Sequence, residues 1–218
     1  MRSTEEFSQK FFTERLHLAY TYVDKWHAGM SVPVDVPVVD YLKGISDTVR
    51  HHCGDQEAVI AACLYKGVIP NTSHVVLLNP QTIAAPDGSN TMDNITYFFG
   101  RCVGRIVLEL NDEPKRDAGD ALRWQNVGEW AHYCLGRQAQ LVLLAEKEQN
   151  LKNRMHKEIQ DVETAQRQAF YCISRLKVID AIQPACPKLA KSARQAGQEL
   201  LDKANAYLRA NGQYRGRD

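Results

Sequence analysis

The chain has 218 residues, enough to bury a sizeable core and few enough for one domain. Hydrophobic content of 44% and charged content of 24% are ordinary for a globular protein, and 27 basic against 26 acidic residues leave a net charge of +1. That balance carries no nucleic-acid or membrane footprint and excludes neither enzymes nor binding modules.

The N-terminal stretch MRSTEEFSQKFF has acidic residues and no long apolar run, unlike a signal peptide. No segment reaches the ~18 apolar residues that span a bilayer. A cytoplasmic location is expected. The six cysteines (Cys53, Cys63, Cys102, Cys134, Cys172 and Cys186) include no CxxC pair and mostly sit among apolar residues. They predict buried free thiols in a reducing compartment.

Ser3 and Glu6 read as a capping box, followed by Phe7, Phe11, Leu16, Ala19, Val23 and Trp26 at helical spacing. Gly29, Pro33 and Pro37 break that helix, and a second is predicted over 38–52. Asp55 caps a third, apolar on all sides through Leu64 and therefore central to the core. From 69 to 90 the periodicity fails at Pro70, Pro80, Pro86 and Gly88, which predicts a long loop, with a short strand or hairpin arm over 75–78. Helices are expected over 92–99 and 101–110, from about 118 to near Gly136, over 139–154, 158–182 and 189–210. Pro184 and Pro187 separate the last two, and Asn211-Gly212 closes the chain's final helix. The reading is an all-α single domain over 1–210 with a disordered tail over 211–218.

Five segments, in order and each on an element of fitting type, carry a resemblance. They are His27-Ala-Gly29 after the first helix, the stretch VVDYLKGISDTV at 38–49, AVIAACLYK at 58–66, TMDNITYFFGRCVGRIV at 91–107 and LVLLAEKEQNL at 141–151. Together they resemble the hydrolase domain of the RelA/SpoT alarmone enzymes, within the HD superfamily. The family's patterns there are aHxGQ, YIxHPxxVA, AALLHD, TxDEIxxxFGxxVxxLV and LVKLADKLxNL. The resemblance covers about 17–180 and implies a compact HD-type helical bundle, with the long loop (about 67–90) over the former active-site pocket.

In that family these elements converge on one divalent ion, described as manganese. Its ligands are the His of the second motif, both residues of the His-Asp pair and the Asp of LADK. The matching positions here are Tyr41, Tyr65, Lys66 and Glu146. Such a cation needs carboxylate oxygens and neutral imidazole nitrogens. A phenol that ionises near ~10 is a poor ligand, and an ammonium has no lone pair to give. One carboxylate does not make a site. The family's water-activating Glu-Asp pair falls on the carboxylate-free stretch 67–72, its phosphate-gripping basic residues on 30–33, and its substrate-facing Lys on Leu143. His27 and Asn150 match further pocket positions, His27 as a stabiliser of the turn and core.

The resemblance therefore implies a pseudo-hydrolase without metal or other cofactor. It acts by binding a protein partner, and the specific form is an immunity or antitoxin protein that neutralises an alarmone-synthetase-like toxin. The alternatives are a nucleotide-sensing module, which the loss of basic pocket residues disfavours, and a divergent metal-dependent hydrolase using Glu146, Asp40 and a histidine. An ion pair between Lys66 and Glu146 is expected in place of the metal, the alternative being that Lys66 simply reaches to solvent. The apolar loop residues Val75, Val76, Leu77, Leu78 and Ile83 either plug the old cavity or face a partner. The pair His51-His52 is expected as a helix-end polar cluster, since neighbouring helical residues point about 100° apart. His132 near Cys134 lacks a visible activating group. Lys147, Lys152, Arg154, Lys157 and Arg167 are expected on a solvated basic face, with a surface for an acidic partner as the functional alternative.

Overall fold

The computed structural model describes residues 2–27, 29, 31–32, 36–65, 91–112 and 120–212. Among them are nine α-helices, one short 3-10 turn and no strand; the extended pairing is a single bridge between Ser31 and Pro37. The all-α expectation holds. The loop 67–90, Lys66, and Val75, Val76, Leu77, Leu78 and Ile83 lie outside the described residues, as does the tail from 213. The helices group into two compact units, one drawn from 1–113 and 135–142, the other from 114–134 and 143–218.

The first unit holds α1 (Arg2–Trp26), α2 (Val38–His52), α3 (Gln56–Leu64), α4 (Thr91–Phe99) and α5 (Arg101–Asn111). Every residue of α3 from Ala58 to Leu64 is buried, and α1, α2 and α5 all pack on it. An apolar helix without a polar face has to be enclosed, so α3 organises this core. Its start is fixed by Asp55, whose carboxylate accepts from the Ala58 amide at 3.0 Å and from Gln138 Nε2 at 3.1 Å. Ser46 of α2 donates to the Val59 carbonyl at 2.9 Å, a buried bond that sets the two helices in register. Arg15 of α1 grips both Glu57 oxygens at 2.6 and 2.9 Å and also donates to the Phe99 carbonyl, tying three elements together. The first helix begins at Arg2, so Ser3 lies inside it and is not the cap that the sequence predicts. Helix ends shift by a residue or two without changing the buried face.

The second unit holds α6 (Asp120–Tyr133), α8 (Val162–Ile182), α9 (Pro187–Ala210) and the greater part of α7 (Arg137–Met155). Both α6 and α9 pack along α8. The buried stripe of α9, Leu189, Ala193, Leu200, Ala204 and Leu208, follows helical spacing. Gly197 interrupts it for a steric reason: a Cβ there would stand 2.8 Å from Leu176 Cδ2 and 3.4 Å from Leu151 Cδ1. Two boundaries differ from expectation. Helix α8 starts at Val162 rather than 158, because Asp161 caps it by accepting from the Thr164 amide at 2.6 Å. Pro187 opens α9 instead of standing before it, using the first-turn position where its missing N–H costs nothing.

All six cysteines are free. The expectation that they are mostly buried is corrected: Cys63 and Cys172 are buried, Cys53, Cys102 and Cys186 half-buried, and Cys134 exposed. Among the described residues no helix is long and apolar enough to cross a membrane.

Candidate functional site

The sequence points to positions on α2, at the end of α3 and on α7. Tyr41 lies in the first turn of α2, where its amide donates to the Pro37 carbonyl at 3.0 Å, and it is 1% exposed. Tyr65 caps the C-terminus of α3 through its amide, which donates to the Ala61 carbonyl at 2.9 Å, and it too is buried. The two phenols thus belong to packed neighbours, α2 and α3, of the first unit. His27 follows α1 in the same unit, its amide donating to the Val23 carbonyl at 3.0 Å. Its ring is buried, and burial lowers the imidazole below its ordinary value of 6.5, so it sits in the core in neutral form.

Glu146 and Asn150 belong to α7 in the second unit. The eight residues from Leu141 to Glu148 are all buried, charged ones included. Among them Leu143, at the position of the family's substrate-facing Lys, is a core residue. Burying a charge is costly without a partner, and α7 supplies partners from its own sequence and from α9. Glu146 Oε2 lies 2.6 Å from Lys147 Nζ. Glu148 takes Lys152 at 2.7 Å and the Ser192 hydroxyl of α9 at 2.5 Å. Formally the two carboxylates of Glu146 and Glu148 cancel the two ammoniums of Lys147 and Lys152.

The Glu146–Lys147 pair is the feature that sequence reasoning missed. Adjacent helical residues do not face one another, so the contact needs the long Lys147 side chain to fold back on its neighbour. Lys147 was expected on a solvated face and is instead 2% exposed. Lys152, half exposed, binds Glu148, and Arg154 stacks over the Tyr171 ring at 3.8 Å from its centre. The legible signal was the sign alternation Glu-Lys-Glu inside an otherwise apolar run. The other partner expected for Glu146, Lys66, is outside the described residues.

These residues do not fit a divalent metal. Two of the matched positions offer phenols, and Glu146 is the one carboxylate left among them. Among the described residues no three His, Cys, Asp or Glu side chains come together as a ligand set. Asp40 is exposed on α2. His51 and His52 end α2 with their rings edge to face at 4.8 Å, as a helix-end cluster should. His132 Nδ1 bonds the Ala181 carbonyl at 2.9 Å, a structural tie from α6 to α8.

Among solved structures the chain is similar to a metazoan ortholog of SpoT, a protein that hydrolyzes ppGpp and plays a role in starvation responses. The TM-score is 0.58 at 18% sequence identity, over 92% of this chain and 97% of that one. A likeness at this identity establishes the shared fold. No family pattern matches the chain, and no curated protein matches it by sequence.

Proposed function

We propose that the chain is a catalytically silent member of the HD-type fold that works by binding a protein partner. The specific form we favour is an immunity or antitoxin protein that occludes an alarmone-synthetase-like toxin. The observation that carries the reading is the residue chemistry at the four matched positions: Tyr41, Tyr65 and Lys66 supply no carboxylate or imidazole, and the buried Glu146 is the one metal-compatible side chain left. One carboxylate does not hold a divalent ion, and the phenols of Tyr41 and Tyr65 and the ammonium of Lys66 add no anionic donor. On this reading the chain keeps a hydrolase-like scaffold while the side chains at the matched positions supply neither a metal cage nor a phosphate clamp.

The test combines metal analysis, turnover and complex formation on the full chain. The expected result is no stoichiometric manganese, zinc or iron after reconstitution and no phosphate release from pyrophosphorylated guanine nucleotides. Co-purification from the native host should recover a defined stoichiometric protein complex, with a synthetase-like partner supporting the antitoxin form. Metal-dependent turnover would sink the reading in favour of a divergent hydrolase.

A further inference from the structure

The first unit carries a groove of about 430 Å³ that the metal-site positions do not use, lined by residues of α1, α3, α4 and the start of α5. Its walls are aromatic: Phe11 is 53% exposed and Tyr97 82% exposed, with Phe98 beside Tyr97 at a ring-centre distance of 5.0 Å. Single exposed aromatics are ordinary, but several converging on one cleft mark a contact surface. Phe98 and Phe11 are supported from beneath. Tyr22 meets Phe98 at 6.1 Å and Phe99 at 5.6 Å, while the Arg15 guanidinium sits 5.4 Å over Phe11. Phe98 and Phe11, supported in this way, lose little freedom when a partner arrives.

Charge then selects the partner. The groove contains two guanidiniums, Arg15 and Arg101, and one carboxylate, Glu57. Arg15 and Glu57 neutralise each other through a two-bond fork at 2.6 and 2.9 Å. Arg101 is exposed, and among the described residues it has no ion-pair partner. It stands at the first turn of α5, directly after the last turn of α4 that carries Tyr97 and Phe98. Among the described lining residues Arg101 is therefore the one unpaired charge beside the aromatic walls. A multiply charged nucleotide needs several cations, whereas one carboxylate beside one bulky apolar side chain matches this surface.

We infer that this groove docks an acidic segment of a partner protein, seating an apolar side chain against Phe11, Tyr97 and Phe98 and a carboxylate beside Arg101. The inference rests on the protein-binding reading above and names its surface. Random peptides displayed on phage and panned against the full chain test it. The enriched consensus is expected to pair a bulky apolar residue with Asp or Glu. A synthetic peptide of that consensus, titrated by fluorescence anisotropy, should lose about tenfold or more in affinity with Tyr97→Ala. Arg101→Glu should weaken it several-fold and should restore binding to a version with its acids replaced by Lys. Both residues are exposed, and circular dichroism checks that each variant keeps its helices. A consensus without acids, unchanged affinity in both variants, no enrichment, or displacement by GDP or pyrophosphate would each overturn the docking site. A protein complex that survives both substitutions would remove this surface and leave the protein-binding reading standing. Metal-dependent turnover with no complex would remove both.

Discussion

Lys147 Nζ lies 2.6 Å from Glu146 Oε2, and these consecutive residues of one helix are 2% and 8% exposed. Their pairing makes a buried charge tolerable on α7. A buried pair gives little net stability after desolvation, yet losing one partner strands the other. Lys147→Met alone should cost about 3–5 kcal/mol, and Lys147→Met with Glu146→Leu much less. Urea unfolding of the parent, both singles and the double supplies the cycle. Near-zero cost for Lys147→Met would mean that the pair is not a buried interaction in solution.

Asp55 does two things at once, accepting from the Ala58 amide and from Gln138 Nε2. Asp55→Ala should destabilise the chain by about 1–2 kcal/mol, and Asp55→Asn by less, because the amide oxygen still accepts from Ala58. Thermal unfolding ranks the three. Equal melting for all of them would show that the cap contributes nothing.

The buried imidazole of His27 gives the fold a defined pH response. Burial lowers its affinity for a proton below the ordinary 6.5, so the unfolded chain protonates first. The stabilisation is therefore complete above 6.5 and is lost as the pH falls below it. Replacing the ring by Phe should flatten that part of the stability profile, measured by denaturant midpoint across the acid range. An unchanged acid slope would place the response on other groups.

The cysteines should divide by reactivity. Burial pushes the thiols of Cys63 and Cys172 up to about 12, so both stay protonated in the folded chain. Iodoacetamide near about pH 8 should modify exposed Cys134 first and leave Cys63 and Cys172 untouched until denaturant is added. Peptide mass mapping reads this directly. Early labelling of Cys63 would show that α3 is not the enclosed helix described.

The helices were legible because periodicity and stop signals are local. Val38–His52 and the Asp55 cap were anticipated from spacing alone, and the 101–111 helix to within a residue. Errors fell where two local signals competed. Residues 158–161 continue the helical composition of α8, but Asp161 can cap, and capping ended the pattern there. Lys147 was misplaced for a different cause. A charged residue in a helix reads as solvated unless its surroundings are known, and the surroundings of α7 are assembled from distant parts of the chain.

By itself the sequence determined the helical class, the central place of α3, and the residue types at 41, 65, 66 and 146, which are chemical facts independent of any fold. Tertiary structure alone decided that Lys147 is enclosed against Glu146, that Ser192 reaches Glu148 from another helix, and that Phe11, Tyr97 and Arg101 share one groove. The division has a physical basis. Helix formation and capping depend on residues within a turn or two, whereas burial of a charge and convergence of a surface depend on which distant segments pack together.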